Sequence, residues 1–313
     1  MGVPWDVPVM QAPIGPAATT SLVAAVSSVG ALGTLAASWT DPAVLRTQVR
    51  EVRASAGPLF CVNLVLAFDQ RARLEVVLDE GVQFVSFSWG IDAALIRAAN
   101  DAGATVLVQV AEAAAGVAAA NAGADIIVAQ GVEAGGHVQG TTPLLELLGT
   151  LRPLVDLPIL GAGSIGDSGS ARAAVGAGAD GVACGTAFLA ALEADVHPDY
   201  LERLVQANEA DTVLTTVFDV GWVDAPHRVV RNGTVAEWEA AGRPASGARP
   251  GEGEVVATRS GRQVVRYSDA QPTKDTAGEI GSMALYAGTS VGLVHGRAGA
   301  ADITREIARG IQL

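Results

Sequence analysis

The chain contains a single lysine, Lys274, and its other basic residues are arginines and histidines. A Schiff-base aldolase needs a lysine on a barrel strand, and a P-loop needs a Gly-Lys-Ser/Thr sequence; neither is present. The formal net charge of -13 argues against a nucleic-acid partner, because neutralising phosphates requires clustered Lys and Arg side chains. These absences exclude two common chemistries and one large class of partner.

Cysteine and histidine are also scarce. Cys61 and Cys184 lie inside apolar runs and are expected to be buried and unpaired. The four histidines show no His-x-x-x-His or Cys-x-x-Cys spacing, so no metal site is predicted. The first residues lack the pattern of a signal peptide, and Glu112, Asn121 and Asp125 interrupt the alanine-rich stretches, so no membrane partner is expected. A reducing cytoplasm is the expected location.

Half of the residues are hydrophobic and 37 are glycines, a profile typical of α/β proteins with strands buried on both faces. Short apolar runs alternate with segments of helical periodicity. Strands are predicted at 7–11, 31–35, 59–64, 84–88, 105–110, 125–130, 158–162 and 181–184. Helices are predicted at 20–29, 42–55, 70–80, 92–101, 112–122, 143–151, 168–177 and 187–194. Eight such units predict an α/β fold of the (β/α)8 TIM type. An open doubly wound sheet is the alternative, since a sequence does not show closure.

The pattern changes after about residue 209. Turn-forming sequences punctuate residues 210–281, and short alternating segments at 254–258 and 263–267 predict small strands. Helical composition returns at 282–294 and 300–309. The predicted organisation is a (β/α)8 barrel domain over 1–209, a smaller irregular cap or substrate region over 210–281, and C-terminal helices over 282–313 that pack back on the barrel.

Two glycine loops follow the seventh and eighth predicted strands. In a barrel, functional groups collect at the C-terminal ends of the strands, and these two loops form the usual phosphate site. Gly163-Ser164 and Gly185-Thr186 offer backbone amides and hydroxyls for an anion. Tight βα turns alone are the other explanation for these glycines.

Polar side chains end several otherwise apolar strands. Asn63 and Gln130 can each donate and accept a hydrogen bond, which suits the heteroatom edge of a flavin ring or a satisfied core amide. The sequence Gln-Gly-Val-Glu-Ala-Gly-Gly-His follows the sixth strand and ends at His137, a side chain that titrates near neutral pH. Trp89 and Tyr286 fit a substrate pocket or the core, whereas His227 is expected to be solvated or structural.

These elements resemble the FMN-dependent nitronate monooxygenase family, also called 2-nitropropane dioxygenases. The most specific elements are the Gln-Gly-x-Glu-Ala-Gly-Gly-His sequence at 130–137 and the Gly-Thr-x-Phe-Leu sequence at 185–189. The resemblance runs almost end to end, from Met10-Gln11-Ala12-Pro13 to Tyr286-Ala287-Gly288. It implies that His137 is the catalytic residue and that FMN is the cofactor. The FMN-binding residues that it implies are Asn63, Gln130, Gly135, Gly163, Ser164, Ala183, Cys184, Gly185 and Thr186. The neighbouring positions Met10, Gln11, Ala12, Gln109 and Gly136 complete the predicted site.

The reaction implied by the resemblance is oxidation of an alkyl nitronate, or of a nitroalkane, by O₂ to a carbonyl compound and nitrite. The chain departs from the family at Ser164, where a second glycine is usual, and at Ala183, where a long side chain is usual; FMN binding is still expected. An NAD(P)H-dependent flavin reductase of the enoyl-acyl-carrier-protein reductase type shares the barrel and the Gly-Gly-His loop. A non-catalytic flavin-binding scaffold is the third interpretation, and a homo-oligomer is left open.

Overall fold

A computed structural model describes residues 2–311 of the chain. The strands, numbered in chain order, are β1 (Val9–Gln11), β2 (Gly33–Ala36), β3 (Phe60–Val65), β4 (Phe84–Ser88), β5 (Thr105–Val110), β6 (Ile126–Gln130), β7 (Gly136–His137), β8 (Ile159–Ala162), β9 (Gly181–Cys184), β10 (Thr212–Thr215), β11 (His227–Val230), β12 (Val255–Arg259), β13 (Arg262–Val265) and β14 (Ala277–Gly278). The helices are α1 (Thr20–Ser27), α2 (Pro42–Ala56), α3 (Arg71–Asp79), α4 (Ala93–Asp101), α5 (Ala113–Ala122), α6 (Leu144–Leu151), α7 (Ser168–Gly176), α8 (Thr186–Leu189), α9 (Pro198–Gln206), α10 (Gly233–Ala240) and α11 (Ala300–Ala308).

The predicted barrel is confirmed. Eight parallel strands follow the order β1-β9-β8-β6-β5-β4-β3-β2, and helices alternate with them along the chain. The ends of this sheet meet at Leu32, whose backbone N–H donates to Val9 at 2.9 Å and whose carbonyl accepts from Gln11 at 2.9 Å. These hydrogen bonds bring β1 beside β2, so the open doubly wound alternative is wrong.

The helix boundaries follow local capping. Asp41 accepts a hydrogen bond from the Ala43 amide at 2.9 Å, which fixes the start of α2 at Pro42. The helix predicted over 187–194 is wrong beyond Leu189, where α8 ends. Leu192 instead donates its backbone N–H to Ala298 at 2.9 Å, so pairing with the C-terminal segment replaces the helix that alanine-rich composition favours locally.

The region after the barrel has small sheets and its own apolar cluster. The short strands predicted near 254–258 and 263–267 are confirmed as β12 and β13, which pair antiparallel. β10 and β11 form a second antiparallel sheet that also takes in β7, the strand that carries His137. Its apolar cluster contains Val217, Phe218, Val229, Val235, Tyr267 and Ala284.

The helix predicted over 282–294 is wrong. Two short 3₁₀ turns, Ile280–Ser282 and Thr289–Leu293, flank an extended segment. The Leu285 carbonyl accepts a hydrogen bond from Val230 at 2.8 Å, and Tyr286 forms an antiparallel bridge with Val229. Because its backbone pairs with β11, this segment cannot form the intrahelical hydrogen bonds of an α-helix.

The C-terminal helix α11 packs against α1 and α7 on the outside of the barrel. In the described part of the chain, no helix is both long and apolar enough to cross a bilayer. Within residues 2–311, no group of three or more His, Cys, Asp or Glu side chains is arranged to hold a metal ion.

Candidate active site

A cavity of about 660 Å³ opens at the C-terminal ends of the barrel strands. Its volume lies in the range of cofactor and substrate pockets. The predicted site residues that line it are Met10, Ala12, Asn63, Gln109, Gln130, Gly135, Gly136, His137, Gly163, Ser164, Ala183, Cys184, Gly185 and Thr186. The barrel therefore brings together side chains that lie far apart in the sequence.

Gln11 is the predicted residue that does not line the cavity. It is fully buried, and its Oε1 accepts a hydrogen bond from the Thr34 amide at 3.0 Å. Its Nε2 donates to the Ala12 carbonyl. Gln11 thus links β1 to β2 where the barrel closes, and it does not line the cavity.

The two glycine loops both line the cavity and follow the adjacent strands β8 and β9. Within residues 2–311, the backbone N–H groups of Gly163, Ser164, Gly185 and Thr186 donate to no other group of the chain. Gly163, Ser164 and Gly185 are only partly buried, and together with Thr186 they present free amides at the ends of adjacent strands, β8 and β9, an arrangement that can receive an anion. Gly163 has φ +118°, a conformation that favours glycine.

Ser164 stands where the resemblance leads us to expect a second glycine, and its backbone has a glycine-like conformation, with φ +55°. Its hydroxyl accepts a hydrogen bond from the Thr289 hydroxyl at 2.9 Å. In the neighbouring loop, Thr186 Oγ1 accepts from the Gly288 amide at 2.9 Å. Both hydroxyls therefore anchor the C-terminal segment to the glycine loops.

The amide side chains divide into two roles. Asn63 Nδ2 donates to the Ser86 hydroxyl at 3.2 Å, whereas its Oδ1 has no partner within residues 2–311 and is available to a ligand. Gln130 uses both ends on the loop that follows it, donating to the His137 carbonyl at 3.0 Å and accepting from the Gln139 amide at 2.9 Å. Gln139 Oε1 in turn accepts from Gln109 at 2.7 Å. Gln130 and Gln109 thus hold the His137 loop in place.

Gly135 allows close contact between the His137 loop and the C-terminal segment. A Cβ at this position would lie 2.3 Å from the Gly288 nitrogen and 2.5 Å from the Ala287 carbonyl carbon. Both contacts are to backbone, which cannot rotate away as a side chain can. The first glycine of the pair therefore has a packing role, whereas Gly136, with φ +74°, meets nothing within 4 Å.

His137 lies on β7 at the edge of the cavity. Its ring stacks on the Trp222 indole at a centroid distance of 4.3 Å, and Tyr286 lies 5.5 Å away. Burial, and to a lesser degree the neighbouring His227, lowers the pKa of His137 to about 3. Its Nε2 is buried and has no hydrogen-bond partner in the described chain. The imidazole is therefore neutral at neutral pH.

His227 pairs with His137 across β11 and β7. It is fully buried, so of the two expectations for it, solvated or structural, the structure agrees with the structural one. Its Nδ1 lies 2.9 Å from the Ala225 carbonyl and its Nε2 accepts from the Phe218 amide at 3.3 Å, which assigns the proton to Nδ1. Both ring nitrogens are satisfied in the neutral form, and burial lowers the pKa of His227.

Among the cavity-lining residues that the sequence did not identify as site residues are Trp222, Arg259 and Asp269. Trp222 lies on the loop before β11, where Gly221-Trp222 gave only a turn signal. Arg259 and Asp269 also contribute to the wall, and burial raises the pKa of the Asp269 carboxyl. All three come from the region after residue 209, whose irregular sequence gave no periodic pattern that would place them.

The residues present fit a flavin mononucleotide. The free amides of the glycine loops suit its phosphate, and Asn63 Oδ1 offers an acceptor to the ring edge. Met10, Val128, Ala162 and Ala183 provide apolar walls, and the small Ala183 leaves room beside β9. Burial raises the pKa of the Cys184 thiol far above neutrality, so Cys184 is an apolar wall residue and not a reactive thiolate.

Comparison with known proteins gives the family of the chain. A profile described as "Nitronate monooxygenase" matches residues 3–72 and 60–310. A curated protein of Mycobacterium tuberculosis named (3aS,4S,5R,7aS)-5-hydroxy-7a-methyl-1-oxo-octahydro-1H-indene-4-carboxyl-CoA dehydrogenase is 34% identical over 239 residues, which cover 75% of this chain and 66% of that protein. A probable nitronate monooxygenase of Bacillus subtilis is 28% identical over 257 residues, covering 67% of this chain and 74% of that protein. The matches thus span about two thirds to three quarters of these relatives' length.

Solved structures share the whole fold. The structure of a nitroalkane oxidase from Streptomyces ansochromogenes has a TM-score of 0.79 and 29% identity, covering 98% of this chain and 96% of that one. FabK from Thermotoga maritima has a TM-score of 0.78 and 26% identity, covering 97% and 92%. With the family profile spanning nearly all of the described residues, the chain belongs to the nitronate monooxygenase family of oxidoreductases.

Proposed function

We propose that the protein binds FMN and oxidises nitronates with O₂ to carbonyl compounds and nitrite. The observation that carries this proposal is the position of His137, a neutral imidazole that lines the same cavity as the free amides of Gly163, Ser164, Gly185 and Thr186. One cavity thus combines an anion site with a group that can donate or accept a proton.

When bound, FMN supplies the redox chemistry, taking electrons from the substrate and passing them to O₂. The free loop amides would hold its phosphate and Asn63 Oδ1 would receive a ring N–H. Cys184, Ala183 and Met10 would exclude water from the ring, and Gln130 would keep the His137 loop in position through its two backbone hydrogen bonds.

His137 would act differently on the two substrate forms. A nitroalkane must lose its α proton, and the neutral imidazole can accept it. A nitronate has already lost that proton, so His137 would only orient it by hydrogen bonding. Because burial lowers the pKa of His137 to about 3, the imidazole is a weak base, and we propose that nitronates are the better substrates.

The decisive experiment combines cofactor identification with a product assay. We expect a yellow protein that releases FMN, not FAD, on denaturation, because both glycine loops suit a single terminal phosphate. We also expect stoichiometric nitrite from a panel of alkyl nitronates in air. A colourless protein that FMN cannot reconstitute would refute the proposal, and a flavin-bound protein that turns over no substrate would be the non-catalytic scaffold.

A second candidate is a flavin-dependent dehydrogenase or NAD(P)H-dependent reductase. It is favoured by the 34% identity to a protein named as a carboxyl-CoA dehydrogenase and by the fold shared with FabK. Anaerobic mixing with NADH separates the two: rapid bleaching of the flavin supports the reductase, whereas a flavin that stays oxidised with NADH and is reduced by nitronate supports the oxidase.

The organisation that we propose follows the same division as the sequence. Residues 1–209 would form the FMN-binding barrel and residues 210–281 the cap that bounds the substrate. Residues 282–311 would be the C-terminal part that returns to the barrel; residues 312 and 313 of the predicted 282–313 segment, like residue 1, lie outside the described residues. Small-molecule substrate and O₂ would be the partners, in the cytoplasm.

A further inference from the structure

Trp222 lies at the centre of an aromatic cluster at the mouth of the cavity. Its indole is 4.6 Å from Trp89, 5.2 Å from Phe68 and 6.1 Å from Trp39, measured between ring centroids, and it stacks on His137 at 4.3 Å. These partners come from loops after four different barrel strands. Trp222, which belongs to the region after the barrel, thus contacts residues from four barrel loops, including the catalytic candidate His137.

The composition of this cluster is unusual for the chain. Aromatic residues make up only 4% of the sequence, yet three of its five tryptophans meet here. Trp39 is 58% exposed despite its large apolar surface. Trp89 has φ +59°, a conformation that is strained for a bulky side chain. A cluster that served only to stabilise the fold would bury these rings, whereas Trp39, Trp89 and Trp222 all line the cavity.

The geometry of the cluster limits how a substrate reaches His137. Trp222 is tilted by only 26° from the imidazole plane and therefore covers one face of it. The Tyr286 ring also lies beside the imidazole, at a centroid distance of 5.5 Å. A substrate that approaches His137 therefore passes along the indole of Trp222 and the phenol of Tyr286. Flat groups gain contact on such surfaces through offset stacking and edge-to-face packing, which short alkyl chains cannot make as fully.

Resting on the function proposed above, we infer that Trp222 is a specificity-determining residue and that the preferred substrates carry a flat ring next to the reacting carbon. In this arrangement the ring lies against Trp222, Trp89 and Trp39, and the oxyanion end points toward His137. Small alkyl nitronates reach the same atoms but leave this wall uncovered.

A binding experiment on the FMN-loaded protein tests the inference without depending on turnover. Acetate and phenylacetate are carboxylates that differ by a phenyl ring, and their dissociation constants can be compared by calorimetry. We expect phenylacetate to bind about tenfold more tightly than acetate, the size of effect that aromatic contacts give. Trp222→Leu should reduce this ratio to less than about threefold, and Trp222→Phe should restore most of it.

Val223→Ala is the matched control, because Val223 is the next residue in the same loop, is exposed and does not line the cavity. It should keep the parent ratio. Should Trp222→Leu fail to fold, Trp39→Leu replaces an exposed ring of the same wall and should lower the ratio in the same direction. Equal binding of the two anions by the parent, or an unchanged ratio in the folded Trp222→Leu or Trp39→Leu protein, would overturn the inference.

Kinetics separate this inference from the proposed function. For the parent, kcat/KM should be higher for phenylnitromethane nitronate than for ethyl nitronate, and Trp222→Leu should raise KM for the ring-bearing substrate alone. Equal losses on both substrates would assign Trp222 to positioning His137 and overturn the specificity role. Ring-selective binding without any nitrite release would refute the proposed function, while the inference that Trp222 selects for a flat ring would still hold.

Discussion

His137 and His227 are paired across two antiparallel strands, with ring centroids 5.4 Å apart, and burial lowers the pKa of both imidazoles. One ring lines the cavity and the other is buried behind it with both nitrogens hydrogen-bonded. A charge on either would face a second imidazole in a desolvated site. The pair therefore favours the neutral form of the catalytic candidate and makes the fold sensitive to acid.

The first prediction concerns that acid sensitivity. The folded pKa of His137 is about 3, below its ordinary value of 6.5, so between these values the unfolded chain binds the extra proton. The free energy of unfolding should therefore fall as the pH drops below 6.5. Between pH 7 and pH 5, the unfolding free energy of the parent should fall by on the order of 1–2 kcal/mol more than that of His137→Asn, which lacks the imidazole. Urea unfolding at both pH values measures it, and parallel pH profiles for parent and variant would contradict the assigned pKa.

The second prediction concerns the role of His137 in turnover. His137→Asn should retain FMN, because the phosphate and ring contacts lie on other residues. Loss of a general base costs about 10²–10⁴-fold, so oxidation of a neutral nitroalkane should fall by that factor. Oxidation of the matching nitronate should fall less, since no proton has to be removed. Parent-like rates on both substrates would show that His137 is not catalytic, and equal severe losses would assign it to positioning.

The third prediction concerns Ser164. Ser164→Gly relieves the positive φ of +55°, which stabilises by about 1 kcal/mol, and removes the hydroxyl that accepts from Thr289, which costs about 1 kcal/mol. Stability should thus change little, and FMN should stay bound through the backbone amide. Thr289→Val is the matched control, because it breaks the same hydrogen bond without relieving the backbone. A hundredfold loss of FMN affinity in Ser164→Gly would make the hydroxyl a principal phosphate ligand.

The fourth prediction concerns the contact between the His137 loop and the C-terminal segment. Gly135→Ala places a methyl group 2.3 Å from the Gly288 nitrogen, so the two backbones must separate. We expect a loss of more than about 2 kcal/mol in unfolding free energy, together with weaker FMN binding. Gly149→Ala, inside α6 with no atom within 4 Å of the new methyl, should instead stabilise by about 0.5–1 kcal/mol. Thermal melts and flavin titration of both variants provide the comparison.

Local sequence was enough to predict the barrel and most of its site. Parallel strands covered by helices are buried on both faces, so each barrel strand appears as a short apolar run before an amphipathic segment. Glycines and polar residues at the ends of these runs marked the cavity because the C-terminal ends of all strands meet at one face of the barrel. The predictions for Asn63, His137, Gly163 and Gly185 depended only on that rule and on the family resemblance.

The tertiary structure alone decided which residues complete the cavity. Residues 282–294 have helical composition, yet Leu285 and Tyr286 pair with β11. The local sequence could not predict this pairing, because β11 lies far away along the chain. Gln11 lies on β1 beside Met10 and was predicted to line the cavity for the same reason. Its side chain instead accepts a hydrogen bond from the Thr34 amide, where β1 and β2 close the barrel. The sequence by itself determined the periodic strands and helices and the polar groups at their ends. Only the packing of the region after the barrel determined that Trp222 and His227 lie beside His137, because these contacts join distant segments that show no periodic pattern.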